Sequence, residues 1–128
     1  MTNSLILVID DDRVILDLLK VTLERAGYTV LQAIDGRSGL DIFHKEAPAL
    51  VIIDIAMPGI DGYEVVESIR KSANGDSPAI IILTAHQQRV MESYAEEVGA
   101  NRYLTKPIAP NELLEHVAEL LPGVLGDG

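Results

Sequence analysis

Leu5-Ile6-Leu7-Val8-Ile9-Asp10-Asp11-Asp12 decides the fold. Its apolar half is solid and partly β-branched, with no polar residue at alternate positions. A strand of that kind is covered on both faces, since a wet face would need polar residues at every second place. The pattern recurs at Ala49-Leu50-Val51-Ile52-Ile53 and Ala79-Ile80-Ile81-Ile82-Leu83. Tyr28-Thr29-Val30-Leu31 and Arg102-Tyr103-Leu104 are shorter and more mixed, which suits flanking strands.

Helix-period stripes fill the gaps: Val14, Ile15, Leu18, Leu19 and Leu23; Leu40, Phe43 and Ala47; Val65, Val66 and Ile69; Val90, Met91, Tyr94, Ala95 and Val98; Leu113, Leu114, Val117, Leu120 and Leu121. Gly27, Gly75 and Gly99 fall just past stripes, and Pro110 stands where the last helix can begin. Strict strand and helix alternation with short connections calls for an α/β unit, a parallel sheet with right-handed crossovers on both faces. Five strands in the order 2-1-3-4-5 with five helices is the expected winding. Residues 1–121 are read as one domain and 122–128 as a flexible tail or linker stump.

Composition narrows the function. The 128 residues are 48% apolar, yet no run approaches the roughly 20 residues of a membrane span. Met1-Thr2-Asn3-Ser4 lacks a basic stretch and a cleavage site, so a cytoplasmic protein is expected. With no cysteine, disulfides, thiolate chemistry and cysteine-ligated zinc are excluded. A formal charge of −10 repels nucleic acid and anionic lipid, so direct binding of either by this chain is not expected.

In an open parallel sheet, ligands bind beyond the carboxyl ends of the strands where the winding reverses, here between strands 1 and 3. Asp10, Asp11 and Asp12 follow strand 1 and Asp54 closes strand 3. Asp10, Asp11 and Asp54 should therefore converge. Two unit charges about 4 Å apart repel by roughly 4 kcal/mol at an effective dielectric near 20, and a cation is the natural remedy. Oxygen donors alone suit a hard ion such as Mg²⁺. Zinc is not expected, because His44, His86 and His116 share no metal-ligand spacing. One acid of the triplet, Asp11 or Asp12, is enough to cap the first helix. Thr84 ends strand 4 and Lys106 follows strand 5 at the same edge. A lone threonine there is ordinarily a cap and a lone loop lysine ordinarily solvated. The set carries the weight: acids, a hydroxyl and a base all face one place.

These residues resemble the receiver domains of two-component response regulators, a flavodoxin-like fold, and in size the single-domain chemotaxis regulators. The resemblance runs from about Leu5 to Leu121. It rests on Leu7-Val8-Ile9-Asp10-Asp11, on Asp54-Ile55-Ala56-Met57-Pro58-Gly59-Ile60-Asp61-Gly62, on Thr84-Ala85, and on Tyr103-Leu104-Thr105-Lys106-Pro107. The resemblance implies that Asp54 accepts a phosphoryl group, that Asp11 ligates Mg²⁺ directly, that Asp10 helps mainly through water, and that Asp12, outside the acidic pair, is left to cap the first helix. It implies a further ligand in the Ala56 carbonyl, pairing of Lys106 with phosphoryl oxygens and a cis peptide to Pro107. Thr84 would move onto the phosphate and Tyr103 would turn inward as the switch.

Ala56 and His86 occupy the positions that tune phosphoryl lifetime in the family, and an apolar Ala56 cannot orient an attacking water. The implied partners are a sensor histidine kinase or phosphotransfer protein and a downstream effector or output domain. They would read the face of the fourth helix, strand 5 and the last helix, where a homodimer would also form. On this reading the chain is no enzyme beyond its own phosphorylation and slow autodephosphorylation. The alternatives are a haloacid-dehalogenase-like phosphohydrolase, whose second aspartate is replaced here by Ala56, and a receiver that binds partners unphosphorylated. A flavodoxin-like FMN carrier would need a phosphate-cradling first loop where three acids stand.

Overall fold

The computed structural model describes residues 4–57, 59–72, 77–85 and 98–122. Five strands, β1 (Leu5–Ile9), β2 (Thr29–Ala33), β3 (Leu50–Ile53), β4 (Ala79–Thr84) and β5 (Arg102–Thr105), form one parallel sheet in the order β2-β1-β3-β4-β5. The expected winding is the observed one. Four helices lie among the described residues: α1 (Arg13–Arg25), α2 (Gly36–Glu46), α3 (Gly62–Ser72) and α4 (Pro110–Leu120), the last of the chain. Of the stripe expected to make a further helix, Val90, Met91, Tyr94 and Ala95 lie outside the described residues, as do Gly75 and His86.

Solid apolar strands are explained by the two layers they feed. Leu7, Ile9, Val51, Ile53, Ile80 and Ile82 meet Phe43 of α2 and Val65, Val66 and Ile69 of α3. Their neighbours Ile6, Val8, Leu50, Ile52, Ile81 and Leu83 point the other way, onto Leu16, Leu19 and Leu23 of α1 and Leu113 and Val117 of α4. Period-two alternation thus sorts each strand between two cores, both apolar.

Two helical stripes are narrower than expected. On α1 the buried face is Leu16, Leu19 and Leu23, while Val14 is 74% and Leu18 54% exposed. Leu16, Leu19 and Leu23 recur at i, i+3 and i+7, so Val14 and Leu18 fall off that arc. On α2, Ala47 is exposed and is the left-handed C-cap, φ 47°, rather than a core residue. The remaining boundaries move by one or two residues, as helix and strand ends do. Gly27 and Gly99 take φ of 103° and 106°, the left-handed turns expected after helices.

Candidate functional site

Each polar residue at the carboxyl edge is placed by a strand end. Ile9 lies opposite both Ala33 and Ile53, so Asp10 and Asp54, one residue further on, stand side by side. Their backbones are fixed by the last rungs of the ladder, Asp10 N–H donating to the Ala33 carbonyl at 3.1 Å and Asp54 N–H to that of Ile9 at 3.0 Å. Asp10, Asp54 and Thr84 are the buried polar or charged residues among those described. Asp11 is exposed beside them, and carboxylate oxygens of Asp10, Asp11 and Asp54 lie within 4.8 Å of one another.

Both buried acids hold the loop that follows them. Asp10 Oδ1 accepts from Asp12 N–H and Asp54 Oδ1 from Ala56 N–H, each at 2.9 Å. These short turns pin each carboxylate through one oxygen and leave the other free to face the cluster. Lys106 meets both second oxygens, its Nζ lying 2.8 Å from Asp10 Oδ2 and 3.0 Å from Asp54 Oδ2. The ammonium is therefore a counter-ion shared by strands 1 and 3. Burial pushes the Asp10 carboxyl above its usual range, and the hydrogen bonds from Lys106 and Asp12 offset this only in part. Burial opposes charge on Lys106, but hydrogen bonds to Asp10 and Asp54 outweigh it and raise its pKa.

Asp12 does cap α1, its Oδ1 accepting from Val14 N–H at 2.9 Å. Thr84 is fully buried at the end of β4, and its carbonyl accepts from Lys106 N–H at 2.8 Å. The peptide between Lys106 and Pro107 is cis, as the resemblance implies. Tyr103 packs half-buried against the core of α2 and α3. Ala56 is exposed beside Asp54.

Gly62 brings the start of α3 against the loop that follows Asp54. A Cβ there would come 2.5 Å from Ile55 Cα and 2.7 Å from the Asp54 carbonyl oxygen, so only glycine fits. The contact of Lys106 with Asp10, shorter than that with Asp54, was not legible in the sequence, since nothing in a loop lysine's neighbours says which acid it reaches.

The sequence pattern of the family described as response regulator receiver domain matches residues 6–118. The chain belongs to that family. It is 47% identical over 108 residues to a probable transcriptional regulator ycf27 of Galdieria sulphuraria, covering 84% of this chain and 41% of that protein. A protein of the same description from Guillardia theta is 40% identical over 120 residues, covering 94% of this chain and 46% of the relative. The chain thus spans less than half the length of these curated relatives. Among solved structures, a CheY-like response regulator receiver domain protein of Methanospirillum hungatei superposes with a TM-score of 0.88 at 32% identity, over 94% of each chain.

The chain is therefore a receiver domain of the two-component type, a family whose members work between histidine kinases and output effectors. Its acid cluster is one that could hold a metal ion. No helix among the described residues is long and apolar enough to cross a membrane.

Proposed function

We propose that this receiver domain accepts a phosphoryl group on Asp54 from a histidine kinase or phosphotransfer protein, in a reaction that depends on Mg²⁺. The observation that carries the reading is the convergence of Asp10, Asp11 and Asp54 oxygens within 4.8 Å, with Lys106 as the shared counter-ion. The donor set fits a hard divalent ion: all oxygen, two groups buried, one exposed toward the solvent from which the ion and its waters come. Asp11 and Asp54 would hold it directly, Asp10 largely through water, and the Ala56 carbonyl would complete the protein's share. Bound Mg²⁺ supplies neutralisation of phosphoryl charge, which is most of what this transfer needs.

The rest falls to the chain's own residues. An Asp54 carboxylate oxygen attacks phosphorus in line with the bond to the leaving group. That bond breaks, its electron pair departs with the imidazole or acetate, and Asp54 becomes an acyl phosphate. Lys106 pairs with the phosphoryl oxygens as the new bond forms and keeps them paired afterwards. Thr84 donates its hydroxyl to one of them, and Tyr103 repacks in response. A phosphoryl group adds about −1.5 to −2 charge and three acceptor oxygens, which favours drawing β4 and β5 toward Asp54. Conformations a few kcal/mol apart are redistributed by one or two charge-assisted hydrogen bonds.

An effector or output domain would read the altered face, and a homodimer would use it too. We read residues 1–121 as the working unit, 122–128 as a tail, and the compartment as the cytoplasm. Turnover is confined to its own phosphorylation and slow loss of the acyl phosphate. The test is intact mass after incubation with acetyl phosphate and Mg²⁺. One phosphoryl mass should appear on the native chain, and neither on Asp54→Asn nor with the metal chelated. Equal labelling of the variant would show that Asp54 is not the acceptor.

A further inference from the structure

At the opposite edge of the sheet one guanidinium ties three segments together. Arg70, near the end of α3, donates from Nε to the Gly99 carbonyl at 2.9 Å, from Nη1 to the Pro78 carbonyl at 2.6 Å, and from Nη2 to Asn101 Oδ1 at 2.9 Å. Its stem lies under Gly99, where a Cβ would come 2.8 Å from Arg70 Cγ. Asn101 in turn grips Ile80 twice: its N–H donates to the Ile80 carbonyl at 2.8 Å, and its Oδ1 accepts from Ile80 N–H at 2.7 Å. Pro78 and Gly99 thus mark the approaches to β4 and β5, and the contact of Ile80 with Asn101 comes one residue before the first register pair, Ile81 and Arg102.

The strand so gripped needs a register device. β5 is the outer strand, four residues long, and every one of them is only partly buried. Burial on one face is what normally fixes register, and a half-exposed edge strand supplies little of it. A slip of one residue would turn Lys106 to the wrong face, and a slip of two would carry it roughly 7 Å along the sheet. The double grip of Asn101 on Ile80, just ahead of β5, is such a device. At the far end the strand finishes with Lys106 N–H on the Thr84 carbonyl, so the height of Lys106 and its distance from Thr84 follow from where Asn101 sits.

We propose that Arg70, with Asn101, is a positioning residue for the phosphoryl site: it sets the register of β5 on β4 and so places Lys106 between Asp10 and Asp54, roughly 16 Å away along the strand. The proposal rests on the phosphoacceptor reading for its kinetic consequence but not for its structural one.

Amide hydrogen exchange, read by NMR on the full chain, separates a register role from a local one. In Arg70→Ala, protection should fall at Ile80 and Asn101 and also at Lys106, at least tenfold at each. Arg70→Lys, which offers one donor centre in place of three, should fold and show the same pattern more weakly. A loss confined to Ile80 and Asn101 in both variants, or none, overturns the proposal. Labelling by acetyl phosphate supplies the second arm. Displacement of a charge by about 1 Å commonly costs on the order of 10²-fold, so the folded Arg70→Ala should label ten- to a hundredfold more slowly. In a Lys106→Met background the same substitution should change the rate less than twofold, because the group it positions is gone. Equal losses in both backgrounds would overturn the proposal. Labelling of Asp54→Asn at the native rate would instead remove the phosphoacceptor reading, and the exchange arm would still decide the role of Arg70.

Discussion

Asp54→Asn should make the protein more stable when no divalent ion is present. With the carboxylate oxygens of Asp10, Asp11 and Asp54 within 4.8 Å of one another, each repulsion involving Asp54 is roughly 3.5 kcal/mol or more at an effective dielectric near 20. Against the two repulsions stands one attraction, to Lys106 at 3.0 Å, worth roughly 5.5 kcal/mol on the same scale. Asp11 is exposed and its share is screened, but the Asp54 charge also sheds the cost of lying in a nearly dry position. An asparagine keeps the carbonyl oxygen on Ala56 N–H and sets an uncharged amide where Oδ2 stood, while Lys106 stays on Asp10. The balance favours the variant by about 1–2 kcal/mol.

Urea unfolding in chelator should give a higher midpoint for Asp54→Asn with an unchanged slope, the signature of a stability change alone. Saturating Mg²⁺ should then raise the native protein more than the variant, since only a folded state that binds the ion gains from it. The ion-free gap should narrow or reverse. An Asp54→Asn protein less stable than the native one by about 1 kcal/mol in chelator would refute the reasoning, because Lys106 would then outweigh both neighbouring acids.

Other substitutions test the supports of the site. Asp12→Ala removes the cap on Val14 N–H and should cost about 1 kcal/mol in urea unfolding, whereas Asp12→Asn, which caps as well, should cost little. Hydrogen bonds from Ser38 N–H and Oγ hold the Asp35 carboxyl below its usual range. A depressed folded pKa stabilises above the unfolded value of 3.8 and that contribution is lost as pH falls through the folded one, so acid should erode the native protein more steeply than Asp35→Asn. Parallel erosion below about pH 4 would count against Asp35 as the N-cap of α2. Gly62→Ala drives a methyl into backbone atoms that cannot rotate aside and should cost about 1–3 kcal/mol while slowing phosphorylation of the folded fraction. Full stability with normal labelling would mean the loop yields freely there.

Where the sequence read well, the physics was local or periodic. Three solid apolar runs marked β1, β3 and β4 because nearly every residue in them is buried on whichever side it points. Acids at the ends of β1 and β3 then had to meet, since strand order alone made them neighbours. What escaped were contacts set by long side chains. Val14 and Leu18 look like core on a helical stripe, yet the sheet admits only the arc of Leu16, Leu19 and Leu23. Lys106 carries no mark of its second partner, Asp10, and Arg70 none of the carbonyls of Pro78 and Gly99 that it binds. Such side chains reach several ångströms from the backbone, so their partners depend on tertiary placement that neither spacing nor composition encodes.

The same burial pattern argues for which half of the sheet responds to the signal. β1 and β3 sit in the middle, their residues almost wholly buried against two cores, and moving Asp10 or Asp54 would disturb packing that resists small displacements. β5 has one neighbour and only half-buried residues, so displacing its end breaks few contacts. On the phosphoacceptor reading, the acids are therefore the fixed part of the device and Lys106 with Tyr103 the moving part. Arg70 and Asn101 confine that motion to the carboxyl edge: they hold the start of β5 at Ile80 while its end remains free to follow a new charge on Asp54. Without that anchor, movement of Lys106 would be absorbed by the whole strand sliding, and the face beside Tyr103 would carry no distinct second arrangement for a partner to read.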